Sequence, residues 1–255
     1  MKSYLVVIML MLTCYWQNLN AQNQVVQIDT LDHEQENAHQ FSTKKLIIPS
    51  VLISYGFLSL ISEPLKELNG STRYEINEHQ PDKIVLDNYT QYAPAIAVYG
   101  LNLFGLKGRH NFRDRTLIYA TSQVIVTAIV LPLKHIIKEE RPDGSNRLSF
   151  PSGHTSTAFS SAQFLFREYQ QQNFLLSLCG YPIAIFTGVY RTLNDKHWVG
   201  DVVAGAGIGI LSTEAAYWLF PKINGWVQGK KDPNASIVYP YYQSGAIGLG
   251  LMKRF

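Results

Sequence analysis

Three cations, two histidines and a carboxylate in the second half of this chain stand at intervals suited to holding and attacking a tetrahedral anion. Lys134 is followed by Arg141-Pro142, then comes Pro151-Ser152-Gly153-His154, and Arg191 leads on to His197 and Asp201. Singly, each group has an ordinary reading: cations before a proline as a solvated helix end, Pro-Ser-Gly as a loop, and scattered Arg, His and Asp as surface. In this order and at these gaps, chance is a poor account of all three together.

Lys134, Arg141 and Arg191 suit an anion of about two negative charges, because arginine offers paired, fork-like donors and lysine a point charge. Pro142 is expected to stop the helix that carries Lys134 and Arg141. Those cations are seven residues apart, close to two turns, and share a face if the helix runs that far. Ser152, Gly153 and His154 open an apolar run, which puts a hydroxyl and backbone N–H groups at a helix N-terminus, where anions bind. Gly153 admits a close approach that a Cβ would block. His197 and Asp201, four apart, are expected on one helical face. Asp201 then accepts from one imidazole nitrogen, fixes the tautomer and leaves the other free to attack. Glu139, Glu140 and Asp143 read as a solvated, charge-balanced helix end. His33, His39, His79, His110 and His135 read as surface or loop residues.

The scaffold for these groups is apolar and helical. Six segments stand out: Leu46 to Ile61, Ala93 to Leu106, Thr116 to Leu133, Thr155 to Phe166, Phe174 to Tyr190, and Val202 to Leu219. They predict an all-α bundle of about six helices over residues 46–220, embedded in a membrane. Most are shorter than the roughly 20 residues that a perpendicular span needs. Thr116 to Leu133 and Phe174 to Tyr190 are the best spanning candidates; Thr155 to Phe166, rich in Ser and Thr, looks like a helix buried among helices. A soluble bundle stays open as the alternative. In the tail, 221–255, Ser236 to Tyr242 and Ala246 to Met252 flank Gln243-Ser244-Gly245, the pattern of a small β-hairpin.

The whole chain of 255 residues is 46% hydrophobic and 16% charged, with a mean hydropathy of −0.04, between a soluble enzyme and a polytopic membrane protein. Low charge, 18 glycines and two cysteines exclude disorder, collagen and a disulfide-rich miniprotein. A net charge of +3 gives no field to recruit nucleic acid. Residues 1–21, with Lys2, an apolar core from Tyr4 to Trp16 and a small residue at Ala21, read as a signal peptide, followed by a polar stretch over 22–45. Cys179, within an apolar run, reads as a core filler.

Charge and export disagree about topology. Lys107, Arg109, Arg113 and Arg115 fill the link between the second and third segments, and such clusters stay cytoplasmic, which turns the loop after Leu133 outward. A cleaved signal leaves the N-terminus outside, and three crossings then put that same loop in the cytoplasm. Lys44 and Lys45 suit an N-terminus on the inside.

The three motifs together resemble those of the type 2 phosphatidic acid phosphatase (PAP2) superfamily, which also holds bacterial nonspecific acid phosphatases and vanadium haloperoxidases. Its signatures are Lys-x6-Arg-Pro, Pro-Ser-Gly-His and Ser-Arg-x5-His-x3-Asp, and here they stand as Lys134 to Pro142, Pro151 to His154, and Tyr190-Arg191 to Asp201. Tyr190 replaces the family's serine, which moves the hydroxyl away from the backbone and leaves the ionic core intact. The short link from Asp143 to Phe150 looks like that of the membrane lipid phosphatases.

The resemblance implies a phosphatase with no metal or other cofactor. His197 is the nucleophile that forms a phosphohistidine, Asp201 orients it and His154 is the general acid; Lys134, Arg141, Ser152, Gly153 and Arg191 hold the phosphate. It implies a phosphorylated envelope lipid as partner (lipid A, undecaprenyl diphosphate, phosphatidylglycerol phosphate or phosphatidic acid) and an active site on the periplasmic side of the inner membrane. No nucleic acid and no obligate protein partner are expected. A soluble periplasmic acid phosphatase, a haloperoxidase and a non-enzymatic membrane scaffold stay open as alternatives.

Overall fold

A computed structural model of the chain describes residue 39, residues 41–79 and 85–228, and the backbone of residues 236–243 and 246–253. Nine helices lie among the described residues: α1 (Lys44–Ile61), α2 (Glu63–His79), α3 (Asp87–Thr90), α4 (Ala93–Leu103), α5 (Phe112–Ile137), α6 (Gly153–Tyr169), α7 (Phe174–Leu178), α8 (Gly180–Leu193) and α9 (Val199–Gln228). All six apolar segments are helical, the fifth divided between α7 and α8. The polar helix α2 and the short α3 have no apolar stripe to announce them. Residues 1–38, which hold the expected signal peptide and most of the polar stretch, lie outside the described residues.

Residues Leu219–Phe255 form a second compact unit. Within it, β1 (Ser236–Gln243) pairs antiparallel with β2 (Ala246–Lys253), in a register running from Ser236 opposite Lys253 to Gln243 opposite Ala246. The expected hairpin is present, with each strand one residue longer than its apolar pattern.

The helical unit is apolar outside and polar within. Ile48, Val51, Ile61, Ile96, Val124, Ile136 and Leu175 are each more than 60% exposed, while Ser122, Ser156, Ser160, Ser161, Ser212 and Thr213 are fully buried. Water would oppose that arrangement and lipid favours it. Four helices, α1, α5, the α7–α8 stretch and α9, are long and apolar enough to cross a membrane. The chain is a membrane protein, and the outward-facing Ile, Val and Leu side chains replace the soluble-bundle alternative. Cys179 also faces outward, contrary to its reading as a core filler.

Where lipid surrounds a bundle, helices associate through close contact and interhelical hydrogen bonds rather than hydrophobic burial. α6 is the hub, as its Ser and Thr content predicts. The Ser160 hydroxyl meets Thr213 of α9 at 2.9 Å and Ser122 of α5 at 3.2 Å. Gly205 and Gly209, one turn apart on α9, face α6: a Cβ on Gly205 would sit 2.6 Å from the Ser152 carbonyl oxygen, and one on Gly209 would strike the Ser156 carbonyl oxygen. On the other side Gly207 lies against α1, where a Cβ would come within 2.7 Å of the Pro49 carbonyl oxygen. Ala158 and Ala162 of α6 pack on Ala184 of α8.

The two ends of the bundle differ. At the C-terminal end of α6, Arg167 and Glu168 are buried but paired: Arg167 with Glu214, and Glu168 with His110 at 2.6 Å and Tyr217 at 2.7 Å. His110 lies on a loop, one of the two places expected of it, but is buried there, and His39, which meets it at 3.3 Å, joins the network. Lys45 reaches Glu214 at 3.7 Å. The start of α1 thus shares this end with the basic link between α4 and α5. The other end, about 24 Å away along α6, carries the candidate site.

Candidate active site

The three motifs meet at the N-terminal end of α6. Ser152 caps that helix: its hydroxyl lies 2.9 Å from the Thr155 hydroxyl and accepts from the Thr155 N–H, and its own N–H donates to the Asp201 carbonyl oxygen at 3.1 Å. The second and third motifs are joined there through the backbone. Around a Cβ placed on Gly153 the nearest protein atom is a Val130 methyl at an ordinary 3.7 Å, so the closeness that glycine permits is available to a bound group. His154 follows in the first turn.

The first motif is not a continuous helix. α5 ends at Ile137, with Lys138 in the left-handed region at φ 54°, and Arg141 lies on the following loop. The helix stops at this left-handed residue, four before Pro142, so the expectation that the proline ends it and that Lys134 and Arg141 share its face is corrected. Loop contacts return Arg141 to the site, with its N–H donating to the Asn146 carbonyl oxygen at 3.0 Å. The Lys134 ammonium donates to the carbonyl oxygens of Leu148 at 2.6 Å and Ser149 at 3.1 Å.

His197 likewise precedes its helix, since α9 begins at Val199. Its N–H donates to the Arg191 carbonyl oxygen at 3.2 Å, and the side chain reaches Asp201 in the first turn, Nδ1 to Oδ2 at 3.4 Å. A loop-to-helix contact thus replaces the expected shared helical face. Asp201 Oδ2 also accepts from the Ser149 hydroxyl at 2.5 Å and the Trp198 N–H at 2.9 Å. His197 and Asp201 are almost fully buried. Burial, outweighing its bond to Asp201, lowers the His197 pKa to about 4 and keeps the imidazole neutral and nucleophilic at neutral pH. His154 is also lowered to about 4, first by burial and then by the nearby positive charge of Arg191.

Arg191 is buried and pairs with Asp87 of α3, Nη1 to Oδ2 at 2.9 Å. Among the described residues the buried Nε atoms of Arg191 and Arg141 have no acceptor, and a tetrahedral anion would satisfy them. Beside Arg141 opens a cavity of about 290 Å³ lined by Arg73, Glu140, Arg141, Pro142, Asp143, Gly144 and Trp198.

Four residues of the site escaped the sequence: Asp87, Asn88, Glu139 and Ser149. Asp87 and Asn88 sit in no motif, and Ser149 precedes its motif by two residues. Glu139 was read as solvated, yet it is half-buried beside Asp201, and burial followed by the neighbouring Asp201 carboxyl raises its pKa to about 10. Asp143 of the same group pairs with Lys196 at 2.6 Å. His79 and His135 are exposed as expected.

Residues 115–224 match the sequence model of the PAP2 superfamily, and the match includes every residue of the three motifs. A lipid A 1-phosphatase of Porphyromonas gingivalis is 38% identical over 135 residues, covering 52% of this chain and 30% of that protein. Another of Helicobacter pylori is 28% identical over 145 residues, covering 54% of this chain and 73% of that protein. The chain therefore spans under a third of the length of the first of these relatives and about three quarters of the second. The crystal structure of Aquifex aeolicus LpxE superposes with a TM-score of 0.45 at 22% identity, over 58% of this chain and 94% of that one.

Proposed function

We propose that this chain is a membrane phosphatase that removes a phosphate monoester from an envelope lipid, the 1-phosphate of lipid A being the substrate its relatives favour. The observation that carries the reading is the buried His197–Asp201 pair facing two arginines whose Nε donors lack protein acceptors. Asp201 holds Nδ1, so Nε2 attacks phosphorus. The N–P bond forms as the bond to the lipid oxygen breaks, and His154 donates its proton to that oxygen. Lys134, Arg141 and Arg191, with the backbone at Gly153, bind the equatorial oxygens, where charge needs stabilising. Neutral His154 then takes a proton from water, whose oxygen displaces His197 and releases phosphate. Burial and the charge of Arg191 lower the His154 pKa, and a bound anion's own charge raises its affinity for the proton it must donate. Apolar helix faces beside the site accommodate acyl chains.

Orientation follows from the two ends of the bundle. Lys107, Arg113 and the start of α1 lie at one end; placing these cations in the cytoplasm puts the site on the periplasmic side of the inner membrane.

The test is phosphate release by purified chain in detergent from lipid A, undecaprenyl diphosphate, phosphatidylglycerol phosphate and phosphatidic acid, with a soluble monoester as control. Lipid A is expected to react fastest, and His197→Ala to lose activity by at least about a thousandfold while staying folded. A fully active variant would sink the mechanism. Hydrolysis is also expected to survive EDTA and to be blocked by vanadate; loss with EDTA would reveal a metal requirement.

A further inference from the structure

α3 is four residues long, precedes the segment that matches the PAP2 model and touches two of that segment's principal side chains. Asp87 binds Arg191 at 2.9 Å and Thr90 binds Thr187 of α8 at 2.8 Å, hydroxyl to hydroxyl, so both ends of α3 are tied to α8. Between them, Asn88 Oδ1 meets His154 Nε2 at 2.8 Å. The Asn88 carbonyl oxygen also accepts from the Gln91 side chain at 2.8 Å, which fixes the backbone from which the amide projects.

We propose that Asn88 is a positioning residue for His154, holding the imidazole in its Nε2–H form so that Nδ1 serves the leaving oxygen. This rests on reading His154 as the general acid. An amide oxygen accepts without titrating, so it supports the donating Nε2–H both before and after His154 gives up its Nδ1 proton. The proton passes from Nδ1 to the lipid oxygen as the P–O bond breaks, and the neutral Nε2–H tautomer left behind is the one Asn88 already binds. The charged groups acting on His154 are Asp87 from α3, Arg191 from α8, Arg141 from the loop and Lys134 from α5. A carboxylate at position 88 would add a negative charge in direct contact with the ring.

The experiment compares Asn88→Ala and Asn88→Asp in the full chain, in detergent, across pH. Asn88→Ala is expected to lower kcat about tenfold with KM little changed, a smaller loss than removal of the acid itself. Asn88→Asp is expected to move the alkaline limb of kcat upward by about one pH unit, because the new carboxylate stabilises the imidazolium. A merely structural contact would leave that limb in place. An unmoved limb in Asn88→Asp, or wild-type kcat in Asn88→Ala, would overturn the proposal alone. A fully active His154→Ala would overturn it together with the functional reading beneath it.

Discussion

Glu139 shows how one side chain can change meaning between chain and fold. Next to Glu140 and Arg141 it looks like a solvated charge, but the loop after Lys138 turns it onto Asp201, and the Ser149 N–H donates to its backbone carbonyl at 3.0 Å. A half-buried carboxyl group beside another carboxylate holds its proton more tightly. With a folded pKa of about 10 against 4.5 in the free side chain, the folded state keeps a proton that the unfolded state releases throughout that window. Stability from this group is therefore lost as pH rises from the lower value towards the higher. Glu139→Gln removes the linkage and retains an N–H donor. Melting temperature in detergent, measured from about pH 5 to about pH 9, is expected to fall more steeply for the wild type than for the variant. Parallel slopes would mean that Glu139 is ionised in the folded protein.

At the scale of elements, α6 carries the site at one end and the buried ion pairs at the other, and α9 holds it through glycine. Gly209 has no room for a side chain, since even a Cβ would strike the Ser156 carbonyl oxygen. Gly209→Val is expected to force α9 away from α6, shifting Ser152 and Asp201, whose backbones are bonded across this interface at 3.1 Å. Loss of both thermal stability and activity is the expected outcome; a valine variant with the wild-type melting temperature would show that this contact is not needed. Gly225, around which a Cβ would meet nothing within 4 Å, is the control position.

For the molecule as a whole, the bundle brings the start of α1 and the basic link to the same end, so both must lie on one side of the membrane. His39 and Lys45 sit with His110, Arg167 and Glu214, so the beginning of α1 and the link before α5 share one end. In a background with Cys14 and Cys179 replaced by serine, Ser42→Cys and Ser145→Cys are expected to label from opposite sides: Ser145→Cys in intact spheroplasts, Ser42→Cys only after permeabilisation. Labelling of both from one side would contradict this placement.

The sequence by itself determined which residues gather at the candidate site and which segments are apolar helices. Lys134, Arg141, His154, Arg191, His197 and Asp201 are set by side-chain type and spacing, and apolar runs long enough to enter lipid declare themselves one by one. Tertiary structure decided how the groups are held. The left-handed turn at Lys138, the approach of His197 to Asp201 from a loop, and the raised pKa of Glu139 beside Asp201 all depend on neighbours distant in the chain. So does the placing of Asn88 against His154, 66 residues away. A local pattern reports what a segment prefers alone, whereas hydrogen bonds across the bundle and burial are properties of assembled segments, and they set the protonation and orientation on which this chemistry depends.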